Sequence, residues 1–153
     1  MDAGTLERYL HTHIPLSRAI GVSVDQADPD LVRLSAPLAP NLNHRQTAFG
    51  GSVACVAILA GWSWLLLRTR DRSPVPQLVI QQQVVDYRAP IDAAFEAVCA
   101  APADGDWGRF ARALDSRGRG RIELTADVNC RGKLVARFRG VYVALAAQRK
   151  GQS

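Results

Sequence analysis

Hydrophobic residues recur with a period of two over most of this chain, and with no period at all over one long stretch in its first half. Ile122, Leu124, Ala126 and Val128 fall on one side, and Arg121, Glu123, Thr125 and Asp127 on the other, the mark of a half-buried strand. Leu78, Ile80, Gln82 and Val84 alternate in the same way with Val79, Gln81, Gln83 and Val85. So do Phe95, Ala97 and Cys99 with Glu96 and Val98, and Leu134, Ala136, Phe138 and Tyr142 with Lys133, Val135, Arg137 and Arg139. Upstream, Ile20, Val22 and Val24 and then Val32, Leu34 and Ala36 alternate around a turn at Asp28-Pro29-Asp30. Cys130-Arg-Gly-Lys133 marks the last hairpin.

The exception to the period of two runs from Thr47 to Leu67, where no residue is charged. It predicts one long apolar helix over about residues 50–68. Shorter helices are predicted at about 5–12 and across Asp104 to Asp115, and a C-terminal tail from about 147. The order is α+β: an antiparallel sheet of about six strands curled around one helix. Residues 1–153 form one domain, with no repeat and no long linker.

The apolar helix is also about long enough to span a bilayer, and Arg68, Arg70 and Arg72 follow it as a cytoplasmic flank would. Two features oppose a span. Gly61 and Ser63 dilute a strongly apolar part that runs only from Val53 to Leu67. Six strands with an apolar face also need one object to bury against, and the chain offers one such helix. The helix is expected inside a soluble fold.

Composition changes the picture little and charge somewhat more. Hydrophobic content of 48% and charged content of 22% exclude global disorder. Net charge is +5, and every basic residue except Lys133 and Lys150 is arginine, whose planar fork suits phosphate. The densest run, Arg117-Gly-Arg-Gly-Arg121, invites a nucleic-acid reading. It lacks interleaved aromatics for base stacking, so it is read as a solvated loop and strand start, with no nucleic-acid partner. Three separated cysteines suggest neither a disulfide framework nor a zinc site. The N-terminus carries Asp2 and Glu7 and no apolar signal core. A cytoplasmic protein without metal or cofactor is expected.

Gly50-Gly51 stands where the polar opening meets the helix. Two residues without Cβ admit close approach, and the first N–H groups of a helix lack intrahelical partners. With the helix dipole, such donors suit a developing oxyanion. Close helix packing explains the pair equally well.

The phrases PLAPNLNH, TAFGGS and LAGW, with HIPLSRAIGVSV before them and VVDYRAP after, resemble the hot-dog thioesterase superfamily. Within it the chain is similar to the thioesterase-like domain at the C-terminus of YiiD-type acetyltransferases. The resemblance implies a helix swaddled by a sheet, and a homodimer or tetramer in which sheets join edge to edge. It also implies hydrolysis of acyl-CoA or acyl-carrier-protein thioesters near the start of the central helix.

On that resemblance Asn43, seven residues before Gly50, orients water or thioester, and Gly50 and Gly51 hold the carbonyl. The usual His before the double glycine is replaced by Phe49. His44 could supply an imidazole, and Asp86, in Asp-Tyr-x-x-Pro, is a second candidate base. Val56 to Gly61 contains no carboxylate, which excludes direct attack by a helix carboxylate. Thr47, Phe49, Gln81, Gln83 and Tyr87 are expected to line the substrate, and Arg45, Arg68 and Arg88 to meet carrier phosphates. Cys55 reads as a small core residue, and Ser52 as a cap or packing residue. A non-catalytic acyl-ligand binder or sensor is the alternative. A dehydratase would need a His with a carboxylate partner, and no such pair is evident.

Overall fold

The computed structural model describes residues 1–147; most of the tail expected from about 147 lies outside the described residues. The chain forms α1 (Ala3–His13), α2 (Pro15–Ala19), β1 (Ser23–Ala27), β2 (Leu31–Ala36), α3 (Gly50–Thr69), β3 (Gln77–Tyr87), β4 (Phe95–Ala100), α4 (Asp104–Arg117), β5 (Arg119–Cys130) and β6 (Lys133–Leu145). A 3-10 turn at Ala39–Asn41 leads toward α3. The six strands make one antiparallel sheet in the order β1-β2-β4-β5-β6-β3.

The sheet curls around α3, and the two supply most of the core. Val53, Val56, Ala57, Ala60, Trp64 and Leu65 of the helix are buried with Leu34, Ala97, Leu124, Ala126 and Phe138 of the strands. α3 is long and apolar enough to cross a membrane, yet it is largely enclosed, because the concave sheet gives its apolar surface protein to meet. It is the core helix. It is also bonded directly to β6. The Tyr142 hydroxyl donates to the Ile58 carbonyl at 2.7 Å, and a Cβ on Gly61 would stand 2.5 Å from that oxygen.

Alternation in β5 is complete from Gly120 to Val128. The β5–β6 hairpin turns at Arg131 and Gly132, both at positive φ, as a two-residue type I′ turn demands. β6 departs from alternation beyond Gly140, where both faces are buried. In register, Arg121 and Val79 flank Val143, while Glu123 and Gln82 flank Val141, on the outer face. α2 was not predicted; it takes up Pro15 to Ala19, and Ile20 becomes its cap instead of a strand residue.

One departure in β3 matters for the site. Register with β6 shifts between Ile80 and Gln82, so Gln81 is an extra residue in a bulge. Leu78 and Ile80 pack on the core before it, and Val85 packs there after it. A regular strand would have turned Asp86 inward with Leu78 and Ile80. The bulge exchanges the faces and turns Tyr87 inward.

Candidate active site at the start of the central helix

α3 begins without the residues that usually close a helix N-terminus. Its N-cap is Phe49, which is extended and makes no side-chain cap, and no acid stands in the first turn. Ser52 is the third helical residue, not the cap. Val53 N–H is the first to find a helical acceptor, the Phe49 carbonyl at 3.2 Å. The N–H groups of Gly50, Gly51 and Ser52 have no acceptor among the described residues. Together with the helix dipole, they make this end a place for negative charge.

The segment leading in is firmly tied. Phe49 N–H donates to the Asn41 carbonyl at 2.7 Å, and Ala48 N–H to the Ile91 carbonyl at 2.8 Å. Asn41 is buried, and its amide donates to the carbonyls of Ile20 (2.9 Å) and Pro37 (2.7 Å). In the sequence Asn41 is marked only by following a proline and standing two residues before Asn43. Asn43 organises the loop. Its Oδ1 accepts from the N–H groups of Arg45 (2.8 Å) and Thr47 (3.2 Å), which fixes which end of the amide is oxygen. Its Nδ2 donates to Thr47 Oγ1 (2.9 Å) and the Ala48 carbonyl (3.4 Å). All four positions of that amide are thus spent inside the loop.

Thr47, Ala48, Gly50, Gly51, Val53, Tyr87, Arg88, Ala89, Pro90 and Ile91 line an open cleft of about 580 Å³ in front of these donors. That is a usual size for a ligand site. Buried Val53 and Ile91 give it apolar walls, and Arg88 is its one charged lining residue among those described. The Tyr87 hydroxyl donates to the Gly50 carbonyl at 2.6 Å. A Cβ on Gly50 would meet that hydroxyl at 3.3 Å, and one on Gly51 would meet the Phe49 ring at 2.4 Å. Gly51 thus leaves the place that the Phe49 ring occupies, whereas at Gly50 a shift of a few tenths of an ångström by the half-exposed Tyr87 would make room for a Cβ. Burial raises the pKa of the Tyr87 phenol, and proximity to Cys55 adds to it. Burial likewise pushes the Cys55 thiol up, the opposite of what activates a nucleophilic cysteine.

The other candidates are dispersed. His44 is exposed on the loop and outside the cleft lining. Asp86 lies on the outer face of the sheet in a hollow with Thr125, Asp127 and Arg137, and its carboxylate accepts from Arg88 Nε at 3.2 Å. Gln81 and Gln83 are exposed on β3, with Gln81 in the bulge. Phe49 is 57% exposed. Among the arginines, Arg88 lines the cleft, Arg45 is exposed, and Arg68 stacks on Trp107 at 4.6 Å near the far end of α3. No cluster of three or more His, Cys, Asp or Glu that could hold a metal occurs among the described residues.

The fold matches solved structures over nearly its whole length. A protein of unknown function from Chlorobaculum tepidum TLS is 29% identical, with a TM-score of 0.88, covering 95% of this chain and 94% of that one. A putative thioesterase from Shewanella oneidensis is 28% identical, with a TM-score of 0.81 and coverage of 94% and 96%. A Pseudomonas aeruginosa protein of unknown function shares the fold at 20% identity and a TM-score of 0.81, with coverage of 94% and 96%. The family model described as putative thioesterase (yiiD_Cterm) matches residues 3–146. With that match, and with a sheet wrapped around a helix that opens on bare N–H groups, the chain belongs to this thioesterase family of the hot-dog fold.

Proposed function

We propose that the protein hydrolyses acyl thioesters of coenzyme A or acyl carrier protein in the cleft at the start of α3. The observation that carries this reading is the row of unpartnered N–H groups opening between apolar walls. The thioester carbonyl oxygen accepts from Gly50 and Gly51 N–H. Water adds to the carbonyl carbon, and the oxygen gains negative charge where donors and dipole stabilise it. The carbon–sulfur bond then breaks, leaving an acid and a thiol. The Gly50 carbonyl and the Gly51 N–H belong to one peptide unit, so the Tyr87 hydroxyl on that carbonyl strengthens the N–H as a donor.

His44 is the proton acceptor in this proposal, which requires its loop to carry the imidazole from its exposed place outside the cleft lining to the attacking water. Asn43 shapes the loop, and Asp86 stays on the outer face. β3 is an 11-residue edge strand with Val79 and Val84 nearly half exposed, an edge that proteins seldom leave bare. A second copy pairing there gives a homodimer, or a tetramer of such pairs, and brings Gln81 and Gln83 to the neighbouring cleft.

One observation favours a binder over an enzyme: among the described residues no carboxylate and no imidazole line the cleft. Thiol release decides between them, measured on short, medium, long and aromatic acyl-CoAs and on acyl carrier protein. Release from any member supports hydrolysis. Saturable acyl-CoA binding with no release from any member supports the binder.

A further inference from the structure

The arginine run set aside in the sequence acquires a shape in the fold. β4 accompanies β5 only at one end, pairing from Phe95↔Cys130 to Val98↔Asp127. α4 packs beside the earlier part of β5, with Phe110 so close that a Cβ on Gly120 would lie 2.8 Å from its ring. Between α4 and the start of β5, Arg109, Arg112, Arg117, Arg119 and Arg121 line a hollow of about 730 Å³, with Ala113 and Ser116 beside them among the described residues.

Arg109 pairs with Asp106, while the other four make no ion pair among the described residues. Elsewhere on the sheet the pattern is different: Arg33, Arg88, Arg131, Arg137 and Arg139 each have an acid within 4 Å. Four cations gathered without a direct ion-pair partner repel one another, with Asp106 and Glu123 reaching only the adjoining hollow beside Arg109 and Arg121, and an anion between them relieves that cost.

We infer that this groove binds a small anion carrying more than one phosphate group. Guanidinium forks match phosphate oxygens in pairs, and the volume suits a small ligand. Among the described residues no aromatic lines the hollow to stack a base, which argues against single-stranded nucleic acid. Nor does any described large apolar side chain line it to anchor a protein partner.

The groove is remote from the thioester cleft of its own chain. α4 docks on the far part of α3, with Trp107 against Trp64 at 5.6 Å and Asp115 paired with Arg72. Trp64 alone is about 21 Å along the helix from Gly50 at the usual rise per residue. The inference therefore stands independently of thioester hydrolysis.

Calorimetric titration of the full chain with inorganic tripolyphosphate tests it, at about 0.15 M salt, where exposed charges are screened beyond about 8 Å. Arg117→Gln/Arg119→Gln/Arg121→Gln is compared with Arg131→Gln/Arg137→Gln/Arg139→Gln, which removes equal charge elsewhere. Thermal melts confirm that both variants fold. We expect saturable binding that weakens at least ~10-fold in the groove variant and less than ~3-fold in the control, since each bond to a charged group carries a tenfold scale. A parallel titration with coenzyme A that shows the same dependence identifies the carrier's phosphates as a source; coenzyme A without that dependence leaves free polyphosphates as the ligand class. No saturable tripolyphosphate binding, equal loss in both variants, or groove-dependent binding of poly(U) or acidic protein but not tripolyphosphate would overturn the inference.

Discussion

The Tyr87 hydroxyl and the Gly51 N–H act on opposite ends of one peptide unit, and the cleft depends on that link. Tyr87→Phe removes one hydrogen bond at a half-exposed position. Its expected effect is a fall in kcat of about 3- to 10-fold with KM little changed, the scale of a single hydrogen bond. A rise in KM at constant kcat would instead mean that Tyr87 touches the substrate. Cys99 gives a second test. It is fully buried, and burial raises its thiol from 9.0 to about 12. Between those values the unfolded chain loses the proton while the native chain keeps it, so stability declines as pH rises from about 9 toward about 12. The decline has an upper bound of ~4 kcal/mol at ~1.36 kcal/mol per unit. Urea midpoints at about pH 7 and about pH 10.5 should fall further apart in wild type than in Cys99→Ala, and parallel shifts would contradict this.

The elements were legible to different degrees, for physical reasons. β5 could be read residue by residue, because one face meets the core and the other meets water. The helical stretch was legible through its lack of charge. β3 misled at one residue: alternation is blind to a bulge, and Gln81 exchanges the faces of Asp86 and Tyr87. Asp86, a candidate base on the family resemblance, therefore lies on the outer surface, while Tyr87, expected against the substrate, lines the cleft and bonds to the helix entrance. Asn43 shows a similar gap, since the sequence offered its amide to water while the loop consumes it. Contact of α3 with β6 supplies this scale's prediction. Gly61→Ala drives a Cβ into the Tyr142 ring and should cost about 1–3 kcal/mol, as overpacked cores do. A denaturant midpoint unchanged from wild type would show that Tyr142 yields.

For the molecule as a whole, the exposed edge of β3 is the open feature. Sedimentation should give an even-numbered oligomer. Val84→Lys, placing charge on that edge, should shift it toward monomer and depress thiol release in parallel. A wild-type monomer with full activity would remove the second copy from the site.

The central claim, that the first N–H groups of α3 hold the reacting carbonyl, is tested most directly by Gly50→Pro. Proline is favoured at the first helical position. Phe49, at φ −61° and ψ 130°, already has the extended backbone that precedes a proline. The substitution deletes one N–H that no described residue uses, so the thermal midpoint should barely move. Thiol release should fall at least ~100-fold, the scale of a lost oxyanion donor. A folded Gly50→Pro protein that releases thiol at the wild-type rate would contradict the account.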